Sequence, residues 1–399
     1  MTQTLKRLFG EPYRVFFMAA GLYAVFALLV WEIWLGVHTA GGMVNDMPFA
    51  AAPHLWHAHE MIFGYASAAL GGFFLTAVPN WTGARAAAQV FVTVTALIWL
   101  AGRLAIWYSG ALPPVAVAVV DLAFLPLLGV KIALMLIKRP KPQNVAFLAV
   151  LALVWSGNLL VHLEWLGLTQ DTLYTGLRTG LFALCLMIAV LGGRVTPAFT
   201  RNAMKRTGVP EDNLPQSFKP LDVTAIVMIA LATLSLLVMA PEKITGALTL
   251  IGGVAQIARI RFWGVLWTLG QPILWALHLG MAMLGAGMIL WGASAFGWGS
   301  EVAALHVLGI GAVGGMTLAV MSRAVLGHSG RALVAPGPVA LAYGFIALAA
   351  VLRWLASSLS GDLYFPMMLV TGALWIFAFT LYLAALWPAF VGPRKAGEA

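Results

Sequence analysis

Apolar residues in this chain fall into long blocks, separated by short polar or glycine- and proline-bearing connections. Each block runs for roughly twenty residues, enough to cross a hydrocarbon core of about 30 Å. In lipid the backbone must satisfy its own hydrogen bonds, so an all-α bundle is expected. The pattern predicts twelve helices: 15–36, 55–78, 87–108, 113–137, 144–166, 176–198, 221–240, 245–263, 266–292, 300–321, 334–358 and 364–388. The eighth is the most polar, diluted by Gly252, Gly253, Gln256, Arg259 and Arg261. The first follows Lys6 and Arg7 and reads as a spanning helix rather than a cleaved leader, having no small-residue cleavage site in the usual place.

Composition sharpens this reading. The chain has 399 residues, 61% of them apolar and 9% charged. Mean hydropathy is +0.92. A soluble domain carries about 25% charged residues, so an ordinary soluble enzyme is excluded. The net charge of +9 would suit a nucleic-acid binder, but its distribution argues otherwise. With the N-terminus in the cytoplasm, nineteen basic residues, Lys138, Arg139 and Lys141 among them, fall on that side. Only four, Arg103, Arg178, Lys243 and Arg353, fall on the other. This positive-inside bias predicts an inner-membrane protein with both termini cytoplasmic, with membrane lipid and no nucleic acid as its surroundings. The lone cysteine, Cys185, rules out a thiolate-rich metal site.

Chemistry is concentrated in Pro53 to Glu60, where His54, His57 and His59 stand at the mouth of an apolar block. Imidazole is the commonest protein ligand for transition metals, and ionisable groups in a membrane helix are functional candidates. At helical spacing His54 and His57 share a face while His59 points away. His59 and His306 lie at equal depth on parallel helices, as two axial ligands of one haem would. His278, on an antiparallel helix, is expected in the same layer, ligating a second haem or a copper ion. Arg103, Arg178 and Arg353 suit haem propionates. Glu60 is a candidate for orienting a ligand or relaying protons, as are the intramembrane carboxylates Glu32, Asp121 and Glu164. Tyr65 is a candidate hydrogen-bond donor, and Trp56, Trp81, Trp107 and Trp165 read as interfacial anchors. Gly-Gly pairs at Gly71, Gly192 and Gly314 suggest three four-helix pseudo-repeats, 10–137, 144–263 and 266–390, with close-packed backbones.

The segments PHLWHAHEMIFGYASAALGGFFLTAVPNWTG (Pro53 to Gly83) and HVLGIGAVGGMTLAVMSRAVLGHSGR (His306 to Arg331) resemble the NnrS family of bacterial inner-membrane proteins. The resemblance implies a protein containing haem, here expected as b-type, and copper, linked to nitric oxide metabolism and nitrosative stress. It places the family's histidine regions on His54, His57 and His59 and on His306 and His328. The architecture is also similar to the catalytic subunit of haem-copper oxidases and nitric oxide reductases, although helices six and seven lack the second-metal histidines found there. The expected activity is binding, and reduction or detoxification, of nitric oxide or a related small gas, with electrons from quinol or a periplasmic donor. The alternatives are non-catalytic electron transfer or nitric oxide sensing, and transport of a metal or small molecule.

Overall fold

The computed structural model describes residues 3–137, 142–358 and 361–396. The positions of Lys138, Arg139 and Lys141 lie outside the described residues. All regular elements among the described residues are helical. A short helix, α1 (Gln3–Gly10), precedes α2 (Pro12–Thr39). Then come α3 (Pro53–Thr82), α4 (Gln89–Trp107), α5 (Pro114–Leu136) and α6 (Pro142–Trp165). The chain continues through α7 (Leu173–Arg206), α8 (Lys219–Leu237), α9 (Glu242–Ile260) and α10 (Pro272–Ser294). It ends with α11 (Glu301–His328), α12 (Gly337–Ser358) and α13 (Tyr364–Val391).

Local chemistry sets the boundaries. Prolines occupy the first turn of α2, α3, α5 and α10, where the missing N–H has no helical partner to lose. Gly83, with φ of 67°, closes α3 in the left-handed conformation that a residue without Cβ adopts cheaply. The tenth helix begins six residues later than its hydropathy predicts: Val265–Gly270, though apolar, is a 3-10 turn between Gly264 and Pro272.

Among the described residues all twelve expected helices are present, and eleven are long and apolar enough to cross a membrane. The exception is α9, whose Glu242, Lys243 and Arg259 keep it polar at its ends. It is held by neighbouring backbones instead. A Cβ on Gly253 would lie 2.8 Å from Gly285 O, and one on Gly292 2.7 Å from Gly246 O. The small-residue packing expected of a membrane bundle is therefore found here and where Gly157 meets Gly176 and Gly180, rather than at the Gly-Gly pairs. Gly72 instead packs against Phe17, Gly192 against Met281 and Gly314 against Trp375, so those pairs accept large side chains.

The chain divides into two compact units. The first comprises residues 1–180, 324–332 and 379–399, and the second residues 181–323 and 333–378. In the first unit a cluster of Ala27, Phe49, Trp56, Ala105, Ile106 and Val117 forms the floor beside the site. Trp56 is buried and stacked on Phe49, with half-buried Trp107 against both, so Trp56 does not serve as the lipid anchor that sequence suggested. An aromatic residue near a helix end is equally suited to headgroups and to core, and tertiary packing decides between them.

A buried histidine and carboxylate cluster

Within the first unit five helices converge on one buried polar cluster. Tyr23 comes from α2, His59 and Glu60 from α3, Arg103 from α4, Asp121 from α5, and Asn158 and His162 from α6. His59, Glu60, Arg103, Asp121, Asn158 and His162 are all buried. His59 ends the regular α-helical part of α3, and Glu60–Tyr65 winds as a π-helix. Such wide turns recur at functional sites because the extra residue re-aims side chains. The second unit repeats the device in its own helix α11, where a π-helical stretch, Val307–Gly314, follows His306 directly.

His59 is held at both nitrogens. Nδ1 lies 2.8 Å from Glu60 Oε1, and Nε2 lies 2.8 Å from Asn158 Oδ1 and 3.4 Å from Asp121 Oδ2. The same Asp121 oxygen sits 2.8 Å from His162 Nε2 and accepts from Asn158 Nδ2 at 2.8 Å. Arg103 spans the two carboxylates, with Nη1 2.5 Å from Glu60 Oε1 and Nη2 donating to Asp121 Oδ1. Tyr23 donates its hydroxyl to Glu60 Oε2. Gly64, one turn beyond Glu60, makes room: a Cβ there would lie 2.8 Å from Arg103 Nη1 and from the Tyr23 ring. Trp99 pins the π-helical backbone by donating to Gly64 O at 2.9 Å. Trp165 lies against both imidazoles, 5.1 Å from His59 and 5.3 Å from His162 between ring centroids.

Charge bookkeeping makes the cluster informative. Arg103 supplies one positive charge against the two carboxylates of Glu60 and Asp121. A proton on Glu60, a second proton on the His59 ring, whose two nitrogens both face oxygen atoms, or a bound cation can each balance the pair. A bound cation would sit between His59, Asp121 and His162. One ligand atom from each of these three residues lies within 4.8 Å of the others, as holding a metal ion requires. For metal–ligand bonds of about 2.0 Å, tetrahedral neighbours sit about 3.3 Å apart, close to the 3.4 Å between His59 Nε2 and Asp121 Oδ2. Glu60 on Nδ1 is the outer partner that orients a metal-ligating imidazole.

Other expected site residues stand elsewhere. Tyr65 packs edge-on against Phe379, while Tyr23 takes the Glu60 hydrogen bond. Glu164 caps α7, accepting from Thr172 N and Leu173 N at 2.6 Å each. In the second unit, Arg353 is buried and donates to Ser357. His306 is half-buried, its Nδ1 2.7 Å from Val302 O. Arg178 is half-buried near the start of α7, and His54 is exposed. His278 does not share the level of His306 as expected. It lies sixteen residues from the end of α10, whereas His306 is five from the start of α11, which separates them by about 16 Å along the helix axes at 1.5 Å per residue. His278 Nε2 lies 3.0 Å from Thr200 Oγ1, and its buried Nδ1 has no hydrogen-bond partner.

The sequence profile of the NnrS family, described as NnrS protein, matches residues 7–394. The chain belongs to the NnrS family. No curated protein matches the chain. As a member of that family, this protein brings to the buried cluster an expectation of metal chemistry, and its donor set meets it for an ion. A small ion at His59 Nε2 would take the place of its contact with Asn158, whereas a haem at His59 does not fit, because Nε2 faces the Asp121 carboxylate. An axial ligand needs one nitrogen open towards the porphyrin face.

Proposed function

We propose that this NnrS protein holds a transition-metal ion at His59, Asp121 and His162 and binds nitric oxide or a related small gas there, in the bacterial inner membrane. The convergence of three buried donor atoms on one space carries the reading. Three protein ligands are the number that leaves a coordination position for an exogenous molecule. Imidazole donors suit copper, zinc and iron. When bound, the ion supplies an electron-accepting centre for the gas.

The chain's own residues do the rest. Glu60 accepts at His59 Nδ1 and so turns Nε2 towards Asp121. Arg103 spans both carboxylates, and Tyr23 saturates the remaining Glu60 oxygen. Asn158 donates to Asp121, fixing which oxygen faces the imidazoles. Trp165 covers the pair of rings, limiting water.

For haem, which the family implies, His278 has the property that His59 lacks, a buried nitrogen without a partner. The nineteen-to-four distribution of basic residues supports cytoplasmic termini, which places the cluster towards the periplasmic ends of its helices.

The test is metal analysis of purified protein with optical and paramagnetic-resonance spectra, with and without nitric oxide. Wild type is expected to retain one ion per chain and to change spectrum with the gas, while Asp121→Asn and His162→Gln lose the ion. Full metal retention by both variants would refute the site.

A further inference from the structure

Five arginines are buried among the described residues: Arg14, Arg103, Arg259, Arg323 and Arg353. Four of them have partners inside the protein. Arg14 donates to backbone carbonyls at the end of α13, Arg103 to Glu60 and Asp121, Arg259 to Ala189 O and Gln256, and Arg353 to Ser357. Arg323, on α11 in the second unit, is only 9% exposed, yet its guanidinium has no hydrogen bond and no carboxylate among the described residues. Its central carbon lies 4.1 Å from the centroid of the Phe199 ring. Exposed Arg206, at the end of α7, is close enough to repel it and has no ion pair of its own among the described residues. Tyr343, from α12, shares a 2.5 Å hydrogen bond with Ser322, the neighbour of Arg323.

A buried cation without a counter-charge is unfavourable, and a second arginine beside it worsens the balance. The aromatic face of Phe199 attracts a guanidinium but supplies no net charge. Snorkelling to water would leave the side chain exposed, and it is not. Depth points to what completes the site. Helix α11 has 28 residues and is about 42 Å long, matching a bilayer with its headgroups at about 40–45 Å. Arg323 stands five residues before its end, about 7.5 Å inside, at the boundary between headgroups and hydrocarbon. That end is the one the distribution of basic residues marks as cytoplasmic, where the leaflet carries anionic lipid. A groove between α10, α11 and α12 starts at the same level. Ala276 and Tyr343 mark its near end, and Gly280, Gly311, Gly315 and Ile346 line it towards the middle of the bilayer.

We propose that Arg323 and Arg206 bind the phosphodiester of one anionic phospholipid of the cytoplasmic leaflet, with an acyl chain laid along the groove beside Tyr343. The guanidinium of Arg323 meets the phosphate oxygens as a planar fork, and Arg206 adds a second charge from the surface. One bound phosphate thereby gives the buried arginine the counter-charge that the protein does not. The site lies wholly within the second unit and stands independently of the metal reading in the first.

The experiment is native mass spectrometry of full-length protein stripped of lipid in detergent and titrated separately with dioleoylphosphatidylglycerol, dioleoylphosphatidylcholine and inorganic phosphate. Wild type is expected to hold one phosphatidylglycerol per chain about tenfold or more tightly than phosphatidylcholine. Arg323→Gln and Arg206→Gln are each expected to lose that preference. Arg261→Gln, which removes an exposed positive charge stacked on Phe262, is expected to keep it. Thermal melts separate lost binding from lost folding. Without lipid, Arg323→Gln should unfold no earlier than wild type, because it removes an uncompensated charge, and on adding phosphatidylglycerol only proteins with both arginines should gain stability. Equal affinity of wild type for the two lipids, or an unchanged preference in Arg323→Gln, overturns the proposal. Inorganic phosphate that binds wild type but not Arg323→Gln, with no preference between lipids, would make the ligand a soluble anion and overturn the lipid assignment.

Discussion

Asp121 Oδ2 lies 2.8 Å from His162 Nε2, joining the early part of α5 to the last turn of α6. Through its other oxygen the same carboxylate takes Arg103, and through Arg103 it is tied to Glu60. Positions 60, 103, 121 and 162 are thus one electrostatic object drawn from four helices.

Arg103→Leu leaves two buried carboxylates facing each other without their shared cation. Breaking a buried pair costs about 3–5 kcal/mol, so the variant is expected to unfold at a clearly lower temperature in detergent and to lose bound metal. Arg103→Lys, which keeps the charge but not the fork, should recover part of the stability. An unchanged unfolding midpoint in Arg103→Leu would show that the ion pairs do not hold these helices.

Tyr23→Phe removes the hydroxyl that satisfies Glu60 Oε2. A buried acceptor left without its donor costs about 1–3 kcal/mol, and the ring packing against Trp99 is retained. Thermal melts should show this loss, whereas Tyr65→Phe, whose ring rests on Phe379 away from that bond, leaves the Glu60 contact intact.

Gly64→Ala inserts a methyl group 2.8 Å from Arg103 Nη1, in a place already bounded by the Tyr23 ring and Glu60 Oε2. Overpacking of this kind costs about 1–3 kcal/mol. The displaced guanidinium should also lower metal retention, which elemental analysis measures. Alanine at Gly129, where a Cβ meets nothing within 4 Å, serves as the control that changes neither quantity.

Outside the membrane-spanning helices, Glu211 receives Lys205 at 2.6 Å and Arg201 at 2.8 Å. The hydrogen bond from Lys205, and then the two positive charges, hold its carboxyl below the usual range. A lowered folded-state value means the contact stabilises above the unfolded value of about 4.3 and is lost as pH falls through the folded one. Amide exchange in the Thr207–Asn213 connection is expected to quicken as pH drops below about 4, once corrected for intrinsic rates. Because Glu211 is fully exposed, added salt should weaken the same protection at neutral pH.

Hydropathy alone determined the all-α membrane class, the existence of all twelve helices and the odd status of Glu242–Ile260, because block length and charge content report directly on lipid. The histidine-rich Pro53–Glu60 stretch also marked one wall of the site. Its partners were less visible. Asp121 and His162 were evident as intramembrane polar residues, and Asn158 stands four residues before His162 on the same helix face, a spacing that could have pointed to them. Tyr23 carried no signal, since a lone tyrosine in an apolar block is ordinary. Depth along a helix can be estimated from sequence, but rotation about its axis and the choice of neighbouring helix cannot. For that reason equal depth alone suggested His59 with His306, while the packing of α3, α4, α5 and α6 within one unit gave His59 to Asp121 and His162.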